Sequence, residues 1–309
     1  MPDTEQERKE AQDRADELRG EIERSYPRSA ADRIIAGLSS GRSGSFRINR
    51  LKTDAGSVAG RLGEIGVAYK RTGWFEDAFV IDPPNEKKVR EDPMYERGEI
   101  YMQNLSAMIP PLMTQISQGQ DVLDMCAAPG GKTTQIVSLS GGLVSVTACE
   151  KDRIRAERLR YNLSRQGCTG VNVLQTDARK LDDFLRFDRI FLDAPCSGSG
   201  TVLLDDPDTY RAFSLKLVHN SAKLQLQLLR KGLAMLKRGG VLVYSTCSVI
   251  PEENEDVVRA ALKDGGTELI SPPEILREIP SIECPLQEAL LVCPGEDYEG
   301  FFAVMFRKK

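Results

Sequence analysis

From residue 4 to about 40, polar and apolar positions recur at helical spacing, broken once at Tyr26-Pro27. A charged first helix is followed by RSAADRIIAGL, and the loop SSGRSGS closes the segment. SFRINRL then alternates as a strand does, and TDAGSVAGRLGEIG reads as a helix opened by a Thr53 or Asp54 cap. VAYKRTGWFEDAFVI has the pattern of a hairpin, and DPPNEKKVREDP is rich in turn formers. Together these predict a small α+β unit over residues 1–97.

Over residues 98–309 the rhythm changes to strand, helix, strand, helix. DVLDMCA, LVSVTACE, VNVLQTDA and FDRIFLDAPC are the apolar strands, separated by KTTQIVSLS, RIRAERLRYNLSR and other helical stretches. A long helix over about 208–237 leads into GGVLVYSTCS, then ENEDVVRAALKDG and the closing strand GFFAVMF. Such alternation predicts an α/β fold, a mostly parallel sheet covered by helices, with ligands at the carboxyl ends of the strands. No internal repeat or low-complexity segment interrupts it.

Composition narrows the class. With 40% hydrophobic and 28% charged residues in 309, the chain is globular, and no run approaches the roughly 18 apolar residues of a membrane span. The charged amino terminus lacks the apolar core of a secretory signal, so a cytoplasmic protein is expected. Seven cysteines without a CxxC pair argue against a disulfide framework and a tight zinc site, and no metal is expected. The single histidine, His219, falls in a helical pattern and is expected to pack or face solvent, which leaves no histidine-based catalysis. A net charge of -4 gives no global attraction to nucleic acid.

DMCAAPGGKTTQ sets Pro129, Gly130 and Gly131 between a strand and a helix, where backbone amides can approach a ligand closely. A phosphate-binding P-loop is excluded, because that motif needs glycine where Cys126 stands. Glu150 ends the next strand, where an acid can accept both ribose hydroxyls of an adenosine-containing cofactor. Asp177 and Asp193 end the two strands after it, so three consecutive strand ends carry carboxylates beside the glycine loop.

Cys149, Cys168, Cys284 and Cys293 read as small apolar residues, and Cys126 as lining of the loop. Cys196 in DAPCSGSG and Cys247 in YSTCS differ, since each lies just past an apolar strand at the edge where ligands bind. An unperturbed thiol is only about 3% thiolate at pH 7, so a nucleophile needs a positive charge or a base nearby. Lys132, at the same edge, could supply that charge.

DMCAAPGGKT, DAPCSGSG and YSTCS occur in that order, with GEIYMQNLSAM before them and PEENEDVV and GFFAVMFRK after. In these motifs the chain resembles the RNA (cytosine-5)-methyltransferases of the NOL/NOP/Sun family, along essentially its whole length. The resemblance implies a Rossmann-like S-adenosylmethionine-dependent methyltransferase domain over 98–309 and a small N-terminal α+β RNA-binding domain over 1–97. It implies that Cys126, Ala127, Ala128, Pro129, Gly130, Gly131 and Lys132 cradle the methionine part of S-adenosylmethionine, Glu150 the ribose and Asp177 the adenine side. Arg155 would either contact the cofactor as well or lie on a solvated helix face.

In that family the cysteine of the second motif, here Cys247, is the nucleophile, and the cysteine after Ala-Pro, here Cys196, assists product release. The chemistry requires a thiol, because carbon 5 of cytosine is too weak a nucleophile until a thiolate adds at carbon 6 and creates an enamine. Asp193 would face both cofactor and base and stabilise the charge that develops on the ring. A DNA cytosine methyltransferase would use Cys196 as nucleophile instead, but such enzymes lack the cysteine of YSTCS. A non-catalytic RNA-binding scaffold would have no reason to keep Lys132, Asp193 and both thiols.

The compact two-part layout resembles the archaeal and eukaryotic tRNA enzymes, so tRNA is favoured over rRNA as the substrate of a protein expected to be a monomer. Arg42, Arg47, Arg50, Lys52, Lys87, Lys88 and Arg90 are the basic residues expected to hold the RNA.

Overall fold

The computed structural model describes residues 5–309. Helices α1 (Glu5–Ser25) and α2 (Arg28–Leu38) are separated at Pro27, which cannot continue a helix but whose fixed φ suits an entry. Leu18, Ile22, Ile34 and Leu38 on their inner faces join the core of the large sheet described below rather than that of the small unit.

The small unit contains β1 (Gly44–Ile48), α3 (Ala55–Glu64), β2 (Tyr69–Arg71), β3 (Ala78–Ile81), α4 (Pro83–Glu91), α5 (Pro93–Glu96) and β4 (Ile100–Met102). Asp54 caps α3 by accepting the Ser57 N–H at 2.9 Å. The four strands form an antiparallel sheet in the order β2-β3-β1-β4. Its last strand therefore lies beyond residue 97, where the sequence pattern ends the unit. DPPNEKKVREDP is a helix rather than turns, because prolines fit a first helical turn that needs no N–H partners, and Asp92-Pro93 then stops it. Phe46 and Phe79 stack at 5.2 Å over Val58, Leu62 and Ile100 to make a separate core.

The large sheet contains β5 (Asp121–Asp124), β6 (Ser145–Cys149), β7 (Val171–Leu174), β8 (Phe187–Asp193), β9 (Leu236–Thr246), β10 (Thr267–Ile270), β11 (Ser281–Ile282), β12 (Ala289–Val292) and β13 (Phe301–Lys308). Helices α6 (Gly131–Leu139), α7 (Arg153–Gln166), α8 (Leu215–Met235) and α9 (Glu255–Leu262) connect them. The strand order is β11-β12-β13-β9-β8-β5-β6-β7, with β10 on β13; β5 to β9 are parallel and the C-terminal strands antiparallel. The fold is thus α/β and Rossmann-like. The alternation of strand side chains is visible in β13, where Phe302, Val304 and Phe306 face α1, α2, α8 and α9, and Phe301, Ala303 and Met305 face the other layer. The long helix starts at Leu215, later than its apolar pattern predicts, because Ser214 caps it by accepting the Leu217 N–H at 3.1 Å.

The small sheet is bolted to the large one. Arg47 is fully buried and donates to Gln103 Oε1 (2.8 Å), the Gly131 carbonyl (2.8 Å) and Thr134 Oγ1 (2.6 Å). Asn49 donates to the carbonyls of Gly98 (2.9 Å) and Gln166 (2.7 Å). At Gly98 the backbone approach is so close, and φ so positive (69°), that a Cβ would sit 2.1 Å from the Arg165 carbonyl oxygen.

Candidate active site

Strand order reverses between β5 and β8, so the loops leaving their carboxyl ends bound the crevice where sheets of this type take ligands. The loop after β5, residues 126–132, turns straight into α6 through Gly130 at φ 108°, and the first amides of α6 have no partner within the helix. Asp124 closes β5 and is buried. It accepts the Thr133 hydroxyl at 2.7 Å, and burial, reinforced by the charge of Asp193, raises its pKa to about 6.

Asp193, the last residue of β8, is held on both oxygens: Lys132 Nζ donates to Oδ2 at 2.7 Å and Ser245 Oγ to Oδ1 at 2.8 Å. The Lys132 ammonium also lies 5.5 Å from the Phe301 ring centre. Where the sequence offers Lys132 as a charge for a thiol, the structure pairs it with Asp193, because the first turn of α6 lies across the crevice from the end of β8.

Glu150 directly follows β6 and is only 4% exposed. Its Oε1 accepts the Asp152 N–H at 2.9 Å, and Arg155 stands 3.5 Å from its Oε2. Arg155 is half exposed and also donates to the Ala128 carbonyl at 3.0 Å, so it braces the glycine loop against Glu150. Asp177 pairs with Arg179 at 2.6 Å, and hydrogen bonds from that guanidinium hold its pKa at about 2. Two cavities line up along this edge. One encloses about 390 Å³ between Met125, Cys126, Glu150, Arg155, Asp177 and Pro195. The other encloses about 530 Å³ between Tyr101, Cys126, Pro129, Gly131, Lys132 and Asp193. Cys126 lines both, so an elongated ligand can pass from the acids to the glycine loop beside it. Burial pushes the Cys126 thiol far up, which makes it a wall and not a reactive group.

The two thiols singled out by their motifs come together. In the parallel pair β8 and β9, Asp193 stands opposite Ser245, so the chain leaves both strands side by side and Cys196 Sγ lies 3.0 Å from Cys247 Sγ. Both are free. The contact with Cys247, then burial, push the Cys196 pKa well up, and the charge of Glu253 adds to this. Glu253 carries no role in the sequence reading, although it lies within the quoted stretch PEENEDVV; an acid among acids gives no sign of burial. Tyr26, at the α1–α2 break, reaches the same region and donates to the Val249 carbonyl at 2.5 Å.

The basic set divides. Arg47 is wholly interior and a brace rather than a surface residue, and Arg42 is partly buried and donates to the main-chain carbonyls of Gly295 (3.0 Å) and Tyr298. Lys52 donates to the carbonyls of Arg97 (2.6 Å) and Arg165 (2.7 Å). Arg50 pairs with Asp77 at 2.5 Å, whereas Lys87, Lys88 and Arg90 lie exposed on α4. His219 is at the surface, 2.7 Å from Glu252. Among the described residues, no helix is long and apolar enough to cross a membrane.

Residues 111–307 match the family model described as 16S rRNA methyltransferase RsmB/F. The chain is 33% identical over 274 residues to the ribosomal RNA small subunit methyltransferase F of Aeromonas salmonicida, covering 85% of this chain but 57% of that protein. The chain therefore spans little more than half the length of that relative. It is 36% identical over 172 residues to the tRNA (cytosine(72)-C(5))-methyltransferase of Pyrococcus horikoshii, covering 55% and 43% of the two chains. Among solved structures, a methyltransferase homolog protein from Pyrococcus horikoshii superposes with a TM-score of 0.79 and 33% identity, covering 90% of each chain.

Proposed function

The chain belongs to the 16S rRNA methyltransferase RsmB/F family, within the NOL/NOP/Sun group its motifs resemble, and from that premise we propose that it methylates carbon 5 of cytosine in RNA. The observation that carries this reading is the meeting of two free thiols, 3.0 Å apart, beside the Lys132–Asp193 pair. The residues lining the paired cavities suit S-adenosylmethionine: buried Glu150 would accept the ribose hydroxyls, Asp177 would stand on the adenine side, and residues 126–132 would hold the methionine end. When bound it supplies the electrophilic methyl group that carbon 5 receives.

The protein's own groups do the rest. Cys247 adds to carbon 6 of the base. Asp193 keeps a free lone pair on each oxygen beyond those used by Lys132 and Ser245, and these accept the donor edge of the cytosine. Lys132 and Ser245 fix that carboxylate, so it does not reorganise as ring charge develops. In the breakdown, water takes the carbon 5 proton, the ring double bond re-forms and the bond from carbon 6 to the Cys247 sulfur breaks, and Cys196, held as a thiol 3.0 Å away, donates its proton to the departing sulfur. The motif YSTCS, in which the family carries its nucleophile, assigns the attack to Cys247, and the 3.0 Å contact puts Cys196 where it can serve the same adduct.

For the substrate, tRNA is the first reading, supported by the relative named as a tRNA (cytosine(72)-C(5))-methyltransferase, and rRNA the second, supported by the ribosomal RNA small subunit methyltransferase F. Incubation of the protein with S-adenosylmethionine and separate tRNA and 16S rRNA transcripts, followed by bisulfite sequencing, tests both. Protected cytosines in tRNA are expected, protection confined to 16S rRNA supports the second reading, and protection in neither RNA overturns the function.

A further inference from the structure

One buried carboxylate beside the thiols has no part in the reaction as set out above. Glu253 is completely buried, in a single turn six residues past Cys247. Its Oε1 accepts the Ser197 N–H at 2.7 Å and the Gln225 amide at 3.3 Å, and its Oε2 accepts the hydroxyls of Ser197 at 2.5 Å and Ser248 at 2.6 Å. Ser197 follows Cys196 and Ser248 follows Cys247. Gln225, from α8, also donates to the Pro195 carbonyl at 2.9 Å. The carboxylate therefore grips the chain on both sides of Cys196 and just past Cys247.

Four donors converging on two oxygens suit an anion. Hydrogen bonding alone does not require one: a neutral amide would tie the same loops without the cost of burying a charge. The charge itself calls for a role, and the neighbouring pair of sulfurs can share a single proton once the other has left to solvent.

We propose that Glu253 is a positioning residue for the thiol pair: it fixes the two sulfurs side by side and, with most of its contacts flanking Cys196, its charge holds their shared proton on Cys196 and leaves Cys247 the more nucleophilic sulfur. The ionisable groups around this cluster include Asp193 on β8, Tyr244 on β9, whose hydroxyl donates to the Glu253 carbonyl at 2.5 Å, and Glu255 on α9, with Lys132 bound to Asp193. The attacking role of Cys247 rests on the methyltransferase reading, but the ordering of the two thiols is a property of the protein alone.

The test is alkylation by iodoacetamide without RNA or cofactor, with Cys196 and Cys247 resolved by peptide mass spectrometry. Wild type should react first at Cys247. Glu253→Gln, checked for folding by thermal unfolding, should shift the Cys247-to-Cys196 ratio toward Cys196 by roughly tenfold, the change expected when one nearby charge is lost. Glu253→Asp, which keeps the charge, should retain most of the preference. Like behaviour of the Asp and Gln variants, or an unchanged ratio in a folded Gln variant, overturns the proposal. If the Gln variant does not fold, Ser197→Ala, which loosens the grip but keeps the charge, should preserve the order of alkylation while lowering kcat on RNA about fivefold at constant KM, the size of one lost hydrogen bond; an unchanged kcat overturns it. A protein that methylates no RNA but shows the alkylation shift refutes the function and leaves the role of Glu253 standing.

Discussion

Replacing Arg47 by methionine should lower stability and leave RNA affinity unchanged, the reverse of what a surface arginine in FRINRLK would do. The side chain is 0% exposed and donates three hydrogen bonds, to Gln103, the Gly131 carbonyl and Thr134, with the guanidinium 5.1 Å from the Tyr101 ring centre. Burial lowers its pKa to about 10, so it is still a cation at neutral pH. Hydrogen bonds to a charged group contribute about 1.5–3 kcal/mol each, so three amount to about 5–9 kcal/mol, most of it offset by the several kcal/mol that burying an ion costs. Methionine fills much of the volume. The Thr134 hydroxyl keeps its bond to the Gly130 carbonyl at 2.7 Å and a longer one to the Gly131 carbonyl at 3.1 Å, which leaves Gln103 Oε1 as the orphaned acceptor. An orphan of that kind costs about 1–3 kcal/mol, and the net loss should be about 2–3 kcal/mol. For a chain of this size that is a fall in Tm of about 4–12 °C. Differential scanning calorimetry reads the Tm, and RNA binding measured across a salt series reads the phosphate contacts. An unchanged Tm together with a salt slope reduced by about 0.9 would show that Arg47 meets a phosphate and that its buried placement is wrong.

Glu150→Ala should weaken S-adenosylmethionine binding at least about tenfold, since two charge-assisted bonds to ribose hydroxyls contribute roughly 1.5–3 kcal/mol each; calorimetry showing unchanged affinity in a folded variant removes Glu150 from the site. The Asp177–Arg179 pair should matter to stability only above acid pH. The folded pKa of Asp177, about 2, lies below the ordinary 3.8, so its contribution is complete above the ordinary value and disappears as pH falls to about 2. Asp177→Asn should therefore lose stability at pH 6 but match wild type at pH 2, and equal urea midpoints at pH 6 would count against the pair. Gly200→Ala would place a Cβ 2.0 Å from the Gly300 carbonyl oxygen, and should cost about 1–3 kcal/mol in chemical denaturation while a conservative change at exposed Lys88 costs nothing measurable.

The parallel core was legible because its strands alternate regularly with helical stretches and run into acids, thiols or the glycine loop, a rhythm that marks even the four-residue β5 and β7. β10, β11 and β12 were not, since four, two and four residues pairing antiparallel at the sheet margin have no α-helices between them to set a rhythm. The helix hidden in DPPNEKKVREDP was misread because proline is a turn former everywhere except at a helix start. Within the site, the motifs gave the residues but not their partners: nothing in the chain pairs Lys132 with Asp193, or tells buried Arg47 from exposed Arg50, because burial of a charge depends on what the fold brings opposite it. Glu253 was missed for the same reason.

If two thiols divide one covalent cycle, they fail in opposite ways, and a denaturing gel of enzyme incubated with S-adenosylmethionine and a methylatable RNA separates them. Cys247→Ala and the double variant should give no RNA-linked band, whereas Cys196→Ala should accumulate one, because attack proceeds and breakdown does not. An RNA-dependent band with Cys247→Ala and none with Cys196→Ala would contradict the assignment and make Cys196 the nucleophile.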